Sequence, residues 1–336
     1  MNNKLLSTHD DVKICNICGG SGRIHLFSLE MTLQQEIVTY NIVKCNGCGT
    51  AYLTPRPTAQ LFEIIYPPGT YYSYQDNSQR IQARLKKWVM QSSSANGASK
   101  NGLVRRLAKF LASQVMTFVP PAQGEQRLLD IGCGSGDFME QAQAAGWQVW
   151  GVEPSSAGAQ RAQRRGLQVF CVELTQANFP EKFFDLISMS HSIEHMADPL
   201  ENLLRCHNLL KDNGKLLVVT PNFDCFDRYT FGPYWAAIAI PKHFWFFSVR
   251  TLTEVLKRAG FTVESTKFNF LPHKLSDLSA MNLKALLRDC RRLGLALVPA
   301  LTRAIVRTFL IKPWLYLSPE NRPYLGDTMT MIAAKN

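Results

Sequence analysis

The sequence has no apolar run long enough to cross a membrane. Its most lipid-like stretch, Leu293–Thr302, contains ten residues, whereas a membrane-spanning helix needs about twenty. The first fifteen residues also lack the apolar segment of a signal peptide. Both absences predict a cytoplasmic protein.

Acidic residues are few relative to basic ones. The chain of 336 residues has 26 acidic and 37 basic side chains, which give a formal net charge of +11. Such a surplus favours contact with nucleic acid, anionic lipid head groups or phosphorylated substrates, without choosing among them. With 46% apolar residues, the chain can fill one large core and leave residues for a smaller module.

Four of the nine cysteines form two Cys-x-x-Cys pairs, and the others are scattered singly. This pattern is typical of a metal site in a reducing compartment rather than of disulfides. The two-residue gap lets both thiolates of a pair reach one ion, and the glycine after each pair relieves crowding. Four thiolates close a tetrahedral site, so we predict a structural zinc ion bound by Cys15, Cys18, Cys45 and Cys48. Iron and a redox dithiol pair are the alternatives.

The chain shows no internal repeat, and its domains are predicted from a change in pattern. Small polar residues over 92–102 indicate a flexible linker. We predict a zinc-ribbon-like module with a Pro/Tyr-rich segment over 1–75, a linker with lead-in helices over 76–123, and an α/β domain over 124–336. A helical insertion at about 276–317 precedes the last strand.

Apolar runs alternate with helical patterns throughout the α/β domain, which predicts a doubly wound, mostly parallel sheet of seven strands. The predicted strands are Arg127–Ile131, Gln148–Val152, Gln168–Val172, Phe184–Met189, Lys215–Val219, Phe261–Phe270 and Thr328–Ala333. Helices are predicted from Val104 to Val119 and from Ser248 to Ala259.

A glycine-rich turn follows the first predicted strand. This strand ends near Asp130, and Gly132, Gly134 and Gly136 come directly after it. Glycines permit a tight turn, and the free N–H groups of the next helix can face a polar ligand. The second strand ends in Glu153, whose carboxylate can accept hydrogen bonds from both hydroxyls of a ribose. These features predict a nucleotide-like cofactor; an ordinary structural turn is the alternative.

Dinucleotide enzymes have glycine at the sixth position of this motif, where the present sequence has Asp137. From about Arg127 to the C-terminus, the turn and the order of elements resemble the class I S-adenosylmethionine-dependent methyltransferase family. The resemblance implies an enzyme in which Asp130 and the glycines hold the amino-acid end of S-adenosylmethionine and Glu153 holds its ribose. By a looser match, Glu173 would border the adenine.

The segment that begins Tyr52-Leu53-Thr54-Pro55-Arg56-Pro57 resembles a bacterial subgroup in which a zinc module precedes the methyltransferase domain. This subgroup includes sugar C-methyltransferases and enzymes of polysaccharide and secondary-metabolite pathways. Tyr71 and Tyr72, further along, either reach the active site or pack on the surface.

The acceptor is expected beyond the carboxyl ends of the strands, where ligands of open α/β sheets bind. After the fourth strand, Glu194 and His195 match a Glu-His motif common in the family. After the fifth, the segment 222–247 has ten aromatic residues, which suggests an apolar lid or pocket. Within it, His243 resembles the catalytic histidine of sugar C-methyltransferases, although Lys242 replaces an acidic residue that is frequent there. We predict His243 as the general base, assisted by His195 and Glu194; a helix cap or a packing role is the alternative for His243.

The predicted activity is methyl transfer from S-adenosylmethionine to a small or amphipathic acceptor, such as a sugar, a glycan intermediate, a quinone-like metabolite or a lipid-linked molecule. An RNA methyltransferase assisted by the zinc module and a catalytically silent scaffold are the alternatives. The aromatic segment favours a small acceptor over nucleic acid. The basic insertion at 276–317 is interpreted as a peripheral contact with the anionic inner membrane surface, a roof over the site or a homodimer contact.

Overall fold

The computed structural model describes residues 8–33, 36–66, 119, 121–269 and 326–336. Several sequence predictions lie outside the described residues: the linker at 92–102, the helix from Val104 onward, Tyr71 and Tyr72, and the insertion at 276–317.

The described elements alternate strand and helix along most of the chain. The N-terminal part contains β1 (His9–Asp10), β2 (Arg23–Leu33), β3 (Glu36–Cys45), β4 (Ala51–Thr54), β5 (Arg56–Pro57) and the short helix α1 (Phe62–Ile65). The larger part contains β6 (Arg127–Ile131), α2 (Asp137–Ala144), β7 (Gln148–Val152), α3 (Ser156–Arg164), β8 (Val169–Phe170), β9 (Phe184–Ser190), α4 (Pro199–Leu209), β10 (Leu210–Pro221), α5 (Phe226–Phe231), β11 (Trp245–Phe246), α6 (Val249–Arg258), β12 (Phe261–Asn269) and β13 (Thr328–Lys335).

A seven-stranded sheet with the order β12-β13-β10-β9-β6-β7-β8 forms the centre of the larger part. The pairs among β6, β7, β8, β9 and β10 are parallel, whereas β13 runs antiparallel to both β10 and β12. The predicted mostly parallel sheet is therefore confirmed, and each predicted strand overlaps an observed one.

Helices cover both faces of this sheet, because successive strand residues point to opposite sides. Leu128 packs in one core with Met139 of α2. Its neighbour Leu129 packs in the opposite core with Leu203 of α4 and Leu252 of α6. This arrangement confirms the doubly wound architecture.

Helix α6 begins where the sequence predicts it. The Ser248 hydroxyl accepts a hydrogen bond from the Thr251 N–H (3.2 Å), and the Thr251 hydroxyl accepts one from the Ser248 N–H (2.9 Å). This reciprocal cap satisfies N–H groups that the first helical turn leaves open. Gly260, at φ +85°, follows the end of the helix. The cap holds β11, which lies directly before it in the chain, close to the start of α6.

The N-terminal sheet has the order β11-β4-β3-β2, and all its pairs are antiparallel. Its edge strand β11 comes from the larger part of the chain, with Trp245 opposite Tyr52 and Phe246 opposite Ala51. One sheet therefore combines residues from both sides of the predicted domain boundary. The domain bounds themselves stay a prediction.

The two parts of the chain also share their apolar cores. Cys15 and Cys45 belong to the same buried cluster as Leu252 and Val255 of α6. A second cluster joins Tyr40 of β3 to Trp235, which follows α5. The cysteine module is thus packed onto the larger part rather than tethered to it. Among the described helices, none has the length and apolar character of a membrane span.

Candidate active site

The glycine turn after β6 has the conformation that the sequence predicts. Gly132, Gly134 and Gly136 have φ values of +71°, +54° and +88°, in the left-handed region that glycine adopts most readily. A Cβ atom at Gly136 would lie 2.2 Å from a methyl carbon of Leu167, and one at Gly132 would lie 2.7 Å from the Cβ of Ser192. Both the backbone conformation and the close packing therefore require glycine here.

Glu153 lies at the end of β7 and is held against this turn. Its carboxylate accepts hydrogen bonds from the N–H of Gly134 and the N–H of Ser155, both at 2.9 Å. Burial raises the pKa of this carboxyl, while these two hydrogen bonds act in the opposite direction. Each carboxylate oxygen has a second lone pair, so Glu153 suits the two hydroxyls of a ribose.

Asp130 is the other buried carboxyl of the turn, with 2% of its surface exposed. The Ser188 hydroxyl donates a hydrogen bond to it at 2.7 Å. Burial raises the pKa of Asp130 to about 7, and the nearby charge of Glu153 adds to this effect. A buried carboxyl of this kind favours a cationic partner, so Asp130 suits the ammonium of an amino acid. Together with Glu153, it matches the polar ends of S-adenosylmethionine.

Glu173 is an exposed residue that precedes the short 3-10 helix Leu174–Gln176. Its proposed position beside an adenine stays a prediction.

The four predicted zinc ligands converge at one point. Their sulfur atoms all lie within 4.8 Å of one another, with Cys15 Sγ 3.7 Å from Cys48 Sγ and Cys18 Sγ 3.4 Å from Cys45 Sγ. Zinc–sulfur bonds of about 2.3 Å in a tetrahedron place the sulfurs roughly 3.8 Å apart. The donor set and its spacing therefore fit a zinc ion.

The two cysteine knuckles have matching backbones. The Gly19 N–H donates to the Cys15 carbonyl (2.8 Å), and the Gly49 N–H donates to the Cys45 carbonyl (3.0 Å). Both glycines have positive φ, +71° and +75°. Both knuckles therefore make the same backbone turn, and the glycine that follows each pair lies in the left-handed region. The predicted relief of crowding near the sulfurs stays a prediction.

A group of side chains that we call the histidine cluster lies beyond the carboxyl ends of β9 and β10. It consists of His191, Glu194, His195, His243 and Tyr66. The first three follow β9, and His243 precedes β11. The Phe244 N–H donates to the Glu194 carbonyl at 2.7 Å, which ties the two segments together. The structure thereby brings together the three predicted catalytic residues Glu194, His195 and His243.

Glu194 is the buried anion of the cluster, with 1% of its surface exposed. Its carboxylate accepts a hydrogen bond from the Thr220 hydroxyl at 3.0 Å and lies 3.3 Å from Nδ1 of His191. Burial alone would raise its pKa, but the hydrogen bond from His191 opposes this effect, and the three imidazoles add to the opposition when they are protonated, so the pKa falls to about 2. Glu194 is therefore ionised at neutral pH.

The imidazoles of His195 and His243 are in contact, with ring centroids 4.7 Å apart. Nδ1 of His195 lies 2.9 Å from the Lys242 carbonyl, and Nδ1 of His243 lies 2.8 Å from the Ala237 carbonyl. A carbonyl can only accept, so each Nδ1 carries the proton and each Nε2 has a free lone pair. Burial lowers the pKa of both rings, to about 3 for His243. Both rings are neutral at physiological pH, and His243 is a weak base.

His191 differs from the two buried imidazoles. Its side chain is 45% exposed, and its backbone has a φ of +54°, which is uncommon outside glycine. With Nδ1 directed at Glu194, its Nε2 is the exposed lone pair of the cluster.

Sequence reasoning missed two members of this site. The Tyr66 hydroxyl lies 3.1 Å from Nδ1 of His195, and Thr220 holds Glu194. Tyr66 belongs to the Pro/Tyr-rich segment, where the sequence pattern favours Tyr71 and Tyr72 as the tyrosines near the site. No local signal marks Thr220, because a threonine near the end of a buried strand is ordinary.

Half of the ten aromatic residues in the segment 222–247 are packing residues. Five of them are buried in the two cores: Phe223, Trp235, Trp245, Phe246 and Phe247. Much of the aromatic enrichment therefore joins this segment to the N-terminal sheet, rather than forming a lid.

Comparison with known proteins agrees with this geometry. Residues 103–266 match the family model of a methyltransferase domain. The chain is 32% identical over 109 residues to a ubiquinone biosynthesis O-methyltransferase from Histophilus somni, covering 29% of this chain and 46% of that protein. A protein of the same name from Cereibacter sphaeroides is 32% identical over 152 residues, covering 42% and 61%.

The chain spans about half the length of the curated relatives it matches. Among solved structures, a SAM-dependent methyltransferase from Archaeoglobus fulgidus aligns with 74% of this chain and 99% of its own, at 20% identity and a TM-score of 0.42.

The sheet order, the glycine turn and Glu153 define a Rossmann-like domain built to bind a nucleoside-bearing cofactor. The family match agrees with this conclusion, because residues 103–266 match the model of a methyltransferase domain.

Proposed function

We propose that this protein transfers a methyl group from S-adenosylmethionine to a small or amphipathic acceptor. The observation that supports this most directly is the contact between the two halves of the site. Gly132 of the cofactor turn packs against Ser192, the residue after His191. The glycine turn and the histidine cluster are thus neighbours, as a donor and an acceptor site must be.

Asp130 and the glycine turn would hold the amino-acid end of the cofactor, and Glu153 would hold its ribose. When bound, the cofactor supplies an electrophilic methyl group on a sulfonium. The chain's own residues must align an acceptor atom with that methyl group and keep a lone pair available on it.

The histidine cluster is suited to this second task. A hydroxyl acceptor is a poor nucleophile until its proton is withdrawn. Glu194, His195 and His243 present an ionised carboxylate and two neutral imidazoles. We assign acceptor activation to these three residues together. His243 offers its Nε2 lone pair to the acceptor hydroxyl as a hydrogen-bond acceptor, since its lowered pKa makes it a weak base on its own.

A quinone-like acceptor is the preferred candidate, because the relatives quoted above are named ubiquinone biosynthesis O-methyltransferases. Oxygen would then receive the methyl group. Sugars and glycan intermediates remain the other candidates from sequence. Membrane contact, a roof over the site or dimerisation through the insertion at 276–317 also stay predictions.

The cysteine module is proposed to hold a structural zinc ion. Four thiolates leave no open coordination position for chemistry. Its shared core with α6 and its sheet pairing with β11 suggest that it supports the acceptor side of the site.

The proposal is tested with purified full-length protein by calorimetry and by following formation of S-adenosylhomocysteine. We expect S-adenosylmethionine to bind far better than NAD. Product should form with an acceptor from a panel of catechols, hydroxyquinols and nucleotide sugars, but not with bulk RNA. Preference for NAD would overturn the cofactor assignment, whereas turnover with RNA alone would establish the nucleic-acid alternative.

A further inference from the structure

A carboxylate and two imidazoles in the histidine cluster have the spacing of a second metal site. The candidate ligand atoms of Glu194, His195 and His243 all lie within 4.8 Å of one another. Metal bonds of about 2.0–2.2 Å place neighbouring ligand atoms roughly 3 Å apart, so a small closing movement suffices. We infer that these three residues bind a divalent transition-metal ion.

The hydrogen bonds behind the two imidazoles support this inference. Nδ1 of His195 and Nδ1 of His243 each face a backbone carbonyl, at 2.9 and 2.8 Å. Metal-binding histidines almost always donate their second ring N–H to a carbonyl, carboxylate or water, which orients the ring and fixes its tautomer. Both rings are therefore prepared to offer Nε2 to an ion.

The charge of the histidine cluster also supports a bound metal ion. Glu194 is almost fully buried, and its ion-pair partner in the described chain is His191, a ring that is charged only when protonated. A buried carboxylate is costly unless it is paired or coordinates a metal. A divalent ion would balance the negative charge of Glu194.

The donor set also distinguishes this site from the cysteine site. Two imidazoles and one carboxylate with open positions bind first-row divalent ions, with Fe²⁺ as the usual example, and zinc also accepts this set. Thiolates are soft ligands and favour zinc. A hard probe ion should therefore reach the histidine cluster without displacing zinc from the cysteines.

Such an ion would take part in the proposed methyl transfer, and this role rests on the proposed function, although binding does not. An acceptor hydroxyl on an open position would lose its proton more easily. The proton would pass to solvent water, the oxygen would form a bond to the methyl carbon, and the carbon–sulfur bond would break with its electron pair retained by sulfur. His243 would then act as a ligand rather than as the proton acceptor.

The test is a titration with Mn²⁺ of the protein prepared with one zinc ion per chain, which the four cysteines hold most tightly, and paramagnetic resonance measures the free Mn²⁺. We expect one Mn²⁺ per chain. Glu194→Gln and His243→Ala should weaken binding by at least about 100-fold, and Thr220→Val, which removes only the hydroxyl that orients Glu194, by about 10- to 100-fold. His25→Ala, a change at an exposed histidine, should bind as the wild type does. Unchanged zinc content in each variant shows that it has folded.

Absence of Mn²⁺ binding in the wild type, or equal binding in Glu194→Gln, would overturn the second metal site. Methyl transfer that continues unchanged in protein shown by elemental analysis to hold one zinc ion per chain and no other metal would overturn the catalytic role of the second ion, while leaving the proposed function intact. Bound Mn²⁺ in a protein that binds no S-adenosylmethionine would support the metal site and refute the methyltransferase proposal.

Discussion

The two sides of the candidate active site are built in opposite ways. The cofactor side comes from one short stretch, residues 130–136, together with Glu153 on the adjacent strand. The acceptor side combines residues from four separate parts of the chain: Tyr66, the segment 191–195, Thr220 and His243. Local sequence can therefore specify the cofactor side, whereas the acceptor side depends on how distant segments are held together.

The N-terminal module holds the distant segments of the acceptor side together. Arg56 donates a hydrogen bond to the Ala197 carbonyl at 2.9 Å, and its guanidinium lies 4.4 Å from the ring centroid of Trp245. Trp245 in turn donates to the Met196 carbonyl at 2.8 Å. The module thus contacts both chain segments that carry the histidine cluster, just after His195 and just after His243. A change in the module should therefore affect the acceptor side more than the cofactor side.

Of the changes considered, removal of zinc should show the largest difference between its effect on the acceptor side and its effect on the cofactor side. Structural zinc is worth about 10–16 kcal/mol of apparent binding free energy in small peptides, so Cys45→Ser should unfold the module and abolish turnover. Affinity for S-adenosylmethionine, measured by calorimetry, should stay within a few-fold of the wild type. Cys171→Ser, at an exposed cysteine outside the cysteine module, is the control for loss of a thiol that binds no zinc. Parallel loss of cofactor binding would show that both sides are one cooperative unit.

His243→Ala should have the next largest effect, and on the acceptor side only. We expect the turnover rate to fall about 10²- to 10⁴-fold, the usual contribution of a group that assists proton removal, while cofactor affinity is unchanged. His243→Gln should not restore the rate, and His195→Ala should cost less. Steady-state kinetics on the acceptor identified in the panel provide the measurement. A His243→Ala rate within a few-fold of the wild type would transfer the main role to His195 or His191.

Asp130→Asn should act on the cofactor side, and its effect on the free energy of unfolding should depend on pH. An aspartate titrates near 3.9 in an unfolded chain, whereas burial raises the folded pKa of Asp130 to about 7. The folded state therefore holds the proton more tightly, and this contribution to stability is present below pH 4 and lost as pH rises through 7. The loss amounts to about 4 kcal/mol.

Asp130→Asn removes this dependence. Without cofactor, the variant should gain stability relative to the wild type between pH 4 and pH 7, while its affinity for S-adenosylmethionine falls. Urea unfolding at both pH values provides the measurement. A stability difference that does not change with pH would show that Asp130 is already ionised and paired in the free protein.

Glu153→Ala should weaken cofactor binding by about 1.5–3 kcal/mol, the range for hydrogen bonds to a charged group. Calorimetry compares it with Glu181→Ala, a change at an exposed glutamate outside the site. Acceptor affinity should change little. Equal cofactor affinity in the two variants would remove Glu153 from the cofactor site.

Arg56→Met should have the smallest effect on stability. Burial lowers the pKa of the Arg56 guanidinium to about 10, and its Nε and one NH₂ group lie buried without a hydrogen-bond partner in the described chain. The cost of burying these unpaired groups offsets much of the stabilisation from the hydrogen bond and the ring stacking. We therefore expect the free energy of unfolding to change by about 1 kcal/mol. The acceptor KM should rise while the cofactor Kd stays constant. A change confined to the cofactor Kd would contradict the bracing role of the module.

Sequence by itself determined the parts of this protein that depend on neighbouring residues. The alternation of strands and helices follows from apolar periodicity, and the glycine turn follows from backbone conformations that few other residues adopt. The cysteine knuckles follow from the reach of two thiolates across two residues. Each is a short-range property, so it can be inferred without knowing which segments meet.

Tertiary structure alone decided the acceptor side. Nothing in the local sequence shows that β11 completes the N-terminal sheet, that Tyr66 reaches His195 or that Thr220 holds Glu194. The same aromatic pattern in the segment 222–247 is compatible with a lid and with a packed interface. The choice between a lid and a packed interface depends on the burial of apolar surface against the cysteine module. This stabilisation arises only when two distant segments come into contact, so neither segment alone determines it.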